Sequence, residues 1–138
     1  MAVSNYQSLI VWQKSMDLAK MVYAEVKLLP KEEMYALSDQ IRRAVVSIPS
    51  NIAEGCARES KSEMAYFLRI AKGSAAELET QLLLCSNIGY LQKQNLNGIL
   101  SLLDEISRML RALLNPMSGV SGRLKRKTAL KNLELVTL

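Results

Sequence analysis

Between Leu37 and Arg58 two sets of residues step in threes and fours, in opposed registers. Leu37, Ile41, Val45, Ile48 and Ile52 form one set, and Gln40, Arg43, Ser47, Asn51, Glu54 and Arg58 the other. On an α-helix each set gathers on its own side. Such a helix packs along its apolar stripe and turns the polar one to water, a partner chain or a ligand. Pro49 interrupts the pattern: it removes the bond from its own nitrogen to the Val45 carbonyl, and its ring presses on that carbonyl. In a plain helix this costs about 3 kcal/mol. The apolar stepping still runs from Ile48 to Ile52, so the expectation is one helix kinked at Pro49, not two helices.

The rest of the chain repeats the helical theme. Apolar residues make up 49% of the 138, far too many for a disordered chain, while aromatics are only 5%. The core must therefore be aliphatic, which suits helical bundles better than sheets. A first helix is expected over Gln7–Leu29, with Leu9, Trp12, Met16, Ala19, Tyr23 and Val26 as its stripe. Ile10, Val11, Leu18, Met21 and Val22 widen that stripe beyond one face, which predicts burial on a second side, against another subunit, the alternative being a broad core face with a few exposed apolar residues. Leu29-Pro30 ends it, a short turn over Lys31–Tyr35 follows, and Ser38 is the expected N-cap of the second helix, with the alternative that this helix starts at Pro30. Gly55 is a candidate C-cap. Ser60-Lys61-Ser62-Glu63 has the form of a capping box and opens a third helix to about Ile88. Its stripe is Met64, Phe67 or Leu68, Ala71, Ala75, Leu78, Leu82 and Cys85, and the small residues Gly73–Ala76 allow close helix packing. A fourth helix starts near Lys93–Asn95, carries Leu96, Ile99, Leu103, Ile106, Leu110 and Leu113, and ends at Asn115-Pro116. The connections are short, so the expected fold is all-α: an antiparallel up-down-up-down four-helix bundle. Residues 1–116 would form the bundle and 117–138 a basic C-terminal tail.

Charge and residue types restrict the chemistry. The net charge is +5, but residues 115–138 alone carry five cations against one anion, so the bundle is nearly neutral. The chain has no histidine, which excludes Ser-His-Asp and Cys-His arrangements, and no zinc or di-iron pattern is present. The acidic pairs Glu32/Glu33, Glu77/Glu79 and Asp104/Glu105 stand one or two positions apart and do not face each other on a helix. The expectation is a protein that is not an enzyme, with no cofactor and no metal. Cys56 and Cys85 are expected to be buried free thiols. The first residues do not read as a signal peptide and no stretch approaches about 20 apolar residues, so a cytoplasmic protein with no membrane span is expected.

Two runs carry a family resemblance: QIRRAVVSIPSNIAEG at Gln40–Gly55 and FLRIAKGSAAELETQL at Phe67–Leu82. Together they resemble the signature of the 23S ribosomal RNA intervening-sequence protein family, a family of four-helix bundles, over about residues 7–114. The resemblance implies a bundle that assembles into a ring, with a pentamer favoured. It also implies a relation to the accessory protein of diversity-generating retroelements, a basic ring that binds nucleic acid and a reverse transcriptase.

Lys and Arg that meet phosphates release counterions and give affinity without sequence preference. The candidates are Arg42, Arg43, Arg58 and Lys61 around the second helix, and Arg123, Lys125, Arg126, Lys127 and Lys131 in the tail. The bland alternatives are an Arg58–Glu54 ion pair, an Arg43 contact between subunits, and a solubilising tail. Gln40, Ser47, Pro49, Asn51, Glu54 and Gly73 are the candidate structural and subunit-contact residues. Two functions stay open: a ring that holds RNA or DNA by its phosphates, or a scaffold for protein partners. Stacking platforms for single strands are nearly absent from the sequence, which argues against base-specific reading.

Overall fold

The computed structural model of the chain describes residues 5–118. Within them lie four α-helices, α1 (Ile10–Val26), α2 (Leu37–Cys56), α3 (Lys61–Asn87) and α4 (Lys93–Ser118), with single 3-10 turns at Tyr6–Ser8 and Lys31–Glu33. No β-strand occurs among the described residues. α1 packs on α2 and α4, and α3 packs on the same two, so each helix has two neighbours around one centre. This is a four-helix bundle, and its fold class is the one that the helical stepping predicts.

The core is aliphatic. All six apolar positions expected of α4, Leu96 to Leu113, are buried, as are Ile41, Val45, Ile48 and Ile52 of α2. Met64, Leu68, Ala71, Ala75, Leu78, Leu82 and Cys85 of α3 complete it. α1 departs from the expected line. Its buried residues are Val11, Ser15, Leu18, Val22 and Val26, whereas Met16 and Tyr23 are exposed and Trp12 and Ala19 half-buried. A helix apolar most of the way round offers more than one stripe, and the facing helices select among them. The buried Ser15 is satisfied within its own helix: its Oγ donates to the Val11 carbonyl at 2.7 Å.

Several boundaries differ from expectation. α1 begins at Ile10, not Gln7, because the Asn5 side chain accepts from the Gln7 amide at 3.1 Å and caps a separate 3-10 turn. Ser38 does not cap α2. It is buried in the first turn, and Ala36 stands at the cap without a side-chain bond. Glu33 stands in: its Oε2 accepts from the Leu37 amide at 3.4 Å, and its Oε1 accepts from the Tyr90 hydroxyl at 2.9 Å. Gly55 is not a C-cap but a buried residue inside α2. A Cβ there would lie 3.1 Å from the Met64 carbonyl oxygen and 3.2 Å from the Phe67 Cβ, so glycine permits the close crossing of α2 and α3. Ser60 caps α3 as expected, its Oγ accepting from the Glu63 amide at 3.1 Å. After α3, Gly89 takes φ +83°, a left-handed conformation suited to glycine. Asn115-Pro116 does not end α4, which runs to Ser118. A proline in the last turn removes one bond from a helix already close to its end.

Pro49 lies inside α2, which is one continuous helix from Leu37 to Cys56. Cys56 and Cys85 are buried and free.

Candidate nucleic-acid interface

The cations expected to meet phosphate are largely engaged with their own helices. Arg43 Nε stands 3.0 Å from Asp39 Oδ2, one turn back on α2. Arg58 pairs with Glu54 in the same way and lies over the Phe67 ring, 4.8 Å from its centroid. Lys61 is half-buried in the first turn of α3. A paired cation presents little net charge, so Arg43 and Arg58 attract a phosphate weakly. The tail cations Arg123, Lys125, Arg126, Lys127 and Lys131 lie outside the described residues.

The polar stripe of α2 divides in two. Ser47 bonds Ser74 of α3 at 2.8 Å through their hydroxyls, and Asn51 Nδ2 donates to the Ser47 carbonyl at 2.8 Å and to its Oγ at 2.9 Å. Ser47 therefore joins α2 to α3, and Asn51 holds the Ser47 hydroxyl from one turn on in the same helix. Gln40, Arg43 and Glu54 stay exposed. Pro49 is buried and lines a hollow shared with Trp12, Met16 and Ala19 of α1. Gly73 is exposed, and a Cβ there would meet nothing within 4 Å, so within the small-residue patch it is Ser74 and Ala75, both buried, that face the neighbouring helices.

The structure brings forward a face that helical stepping assigns to the core. Tyr23 is 41% exposed, and the Arg42 guanidinium lies 5.9 Å from its ring centroid. Two hollows adjoin this ring. One, of about 510 Å³, is lined by Arg42, Arg43, Ser50 and Asn51 among others. The other, of about 400 Å³, is lined by Met16, Ala19, Lys20, Ala24 and Lys27 beside Tyr23. Lys20 and Lys27 flank Tyr23 at three and four positions, a spacing that places all three along one side of α1, with Lys27 as its C-cap residue. That spacing was legible in the sequence, but the apolar stepping of Tyr23 hid it.

Elsewhere the titratable groups serve the fold. Burial pushes the Cys56 thiol up to about 11. Burial, then the nearby Glu33 carboxylate, raises Cys85. The hydrogen bond to Glu33 does the same for the Tyr90 phenol. Thiols held in the protonated form are poor nucleophiles. Among the described residues no group of three or more His, Cys, Asp or Glu side chains comes together as a metal site. No helix among them is long and apolar enough to cross a membrane.

A family model described as 23S rRNA-intervening sequence protein matches residues 7–112. A crystal structure of a protein with unknown function from the S23 ribosomal protein family, from Bacteroides thetaiotaomicron VPI-5482, superposes with a TM-score of 0.72 at 27% identity. The match covers 77% of this chain and 99% of that one. No curated protein matches the chain.

Proposed function

The chain belongs to the 23S rRNA-intervening sequence protein family, and from that premise we propose that it is a non-enzymatic, ring-forming bundle that holds RNA or DNA through phosphate contacts. The observation that carries the reading is the pairing of a nearly neutral bundle with an excess of positive charge outside it. Counterion release at such cations supplies affinity without base contacts. The family's name ties its members to 23S rRNA, which favours RNA as the ligand. In the cell the role would be played in the cytoplasm, in association with a ribosomal RNA intervening sequence or as accessory to a nucleic-acid enzyme such as a reverse transcriptase.

The antiparallel, up-down-up-down course is supported by contacts whose residue numbers run in opposite directions. Ser47 meets Ser74 while Gly55 meets Met64, and Lys14 pairs with Glu105 at 2.8 Å while Met21 lies against Gly98. The lost Pro49 bond supports a bend in α2. Assembly into a ring, with five copies favoured, rests on apolar side chains that one copy leaves wet, among them Met16, Met21 and Tyr23 of α1, Leu28 after it, and Tyr66, Ile70, Leu84 and Ile88 on or just after α3. A ring multiplies every cation by the number of subunits, and the resulting avidity makes a modest patch effective.

Filter binding of total RNA across a salt series tests the reading. Affinity should fall steeply as salt rises. Absence of binding at low salt, or affinity indifferent to salt, overturns it in favour of a protein-interaction scaffold. That second reading predicts a single protein partner recovered by pull-down after nuclease treatment.

A further inference from the structure

Four cations of the bundle stand in ion pairs: Lys14 with Glu105, Arg43 with Asp39, Arg58 with Glu54 and Arg108 with Asp104. Lys20, Lys27 and Arg42 are not among them, and no carboxylate of the described residues pairs with these three. All three border the two hollows that meet at the Tyr23 ring. The nearest carboxylate lining those hollows, Asp39, is already held by Arg43. The two hollows are therefore lined by four cations against one carboxylate around an exposed aromatic ring, with the hydroxyl of Ser50 and the amide of Asn51 beside it.

We propose that this face is a track for single-stranded nucleic acid, in which Lys20, Lys27 and Arg42 take phosphates and Tyr23 stacks a base. The proposal rests on the nucleic-acid reading above and places it on the bundle itself, apart from the tail. The chemistry fits a flexible strand better than a duplex. Lys20 and Lys27 lie about 10 Å apart along α1, seven residues at 1.5 Å each. Arg42 reaches the same ring from the neighbouring helix. A base can stack on an exposed tyrosine only where it is not already stacked in a helix, and such stacking tolerates any sequence. The Arg42 guanidinium over one face of the ring adds a cation–π contact that holds it beside Tyr23.

Fluorescence anisotropy with a labelled 20-nucleotide oligouridylate tests it on the full chain. Three phosphate contacts to a single strand contribute about 2 to the slope of log affinity against log salt. K20A/K27A/R42A should lose that share of the slope, with helix content unchanged by circular dichroism. Y23A should weaken binding by about 5- to 150-fold, while Y23F, which keeps the ring, binds as the unaltered chain does. R108A, whose cation already pairs on α4, should leave the slope where it is. An unchanged slope in the triple variant, with binding lost on deletion of residues 119–138, overturns the track and leaves the nucleic-acid reading standing. Y23A binding at full strength overturns the stacking role. Failure of the unaltered chain to bind at low salt removes both the track and the reading beneath it.

Discussion

At Gly55 a methyl group would crowd the neighbouring helix. A Cβ would stand 3.1 Å from the backbone oxygen of Met64, and a backbone atom cannot swing aside as a side-chain end can. Gly55→Ala should destabilise the bundle by about 1–3 kcal/mol, because the overpacking outweighs the gain in helix propensity. Gly73 is its control. It also sits inside a helix, but open space surrounds the same position, so Gly73→Ala should stabilise by up to about 1 kcal/mol. Urea midpoints of the two variants, moving in opposite directions, check the pair. Cys56 supplies a pH prediction. Burial lifts its thiol from the ordinary 9.0 to about 11, so in this window the unfolded chain gives up the proton before the folded one does. The stabilising difference is fully present below pH 9 and is lost as pH rises toward 11. Urea midpoints at pH 8 and pH 10.5 should fall less for Cys56→Ala than for the unaltered chain.

The elements are closed by different devices. α3 is capped by sequence-local chemistry: the Ser60 hydroxyl accepts from the Glu63 amide. Ser60→Ala should therefore cost about 1 kcal/mol, and Ser60→Gly only a few tenths, read as shifts in the urea midpoint. The start of α2 has no such cap. Its first turn is tied through Glu33, which accepts from the Leu37 amide and from the Tyr90 hydroxyl beyond the end of α3. Tyr90→Phe removes the second bond and leaves a carboxylate oxygen without its donor. Amide exchange should then quicken first at the α2 N-terminus.

For the whole molecule the deciding quantity is apolar surface left in water. Leu28, Tyr66, Leu84 and Ile88 are each about half exposed or more, and the proposed ring requires that subunit contacts cover such residues. Sedimentation at micromolar concentration should give a closed oligomer near five chains, and a clean monomer would remove the ring. Deleting residues 117–138 should lower RNA affinity sharply at 150 mM salt, since most of the net charge lies there.

Helical periodicity alone determined that four aliphatic helices form, which faces of α2, α3 and α4 are buried, and where α3 is capped. Those features depend on residues three or four apart, a distance that the chain itself sets. The family was equally legible, because its two motifs are contiguous runs within α2 and α3. What the tertiary structure decided depends on residues far apart in sequence. Only the packing of α2 and α4 chose Leu18 and Val22 over Met16 and Tyr23 as the buried line of α1. Only the crossing of α3 turned Gly55 from a helix end into a point of contact. The pairs Arg43–Asp39 and Arg58–Glu54 stand four residues apart and follow from helical spacing, whereas only the packing of α1 on α2 set Arg42 over the Tyr23 ring. Charge along a sequence is a count, whereas charge available to a ligand depends on which carboxylates the fold sets beside each cation.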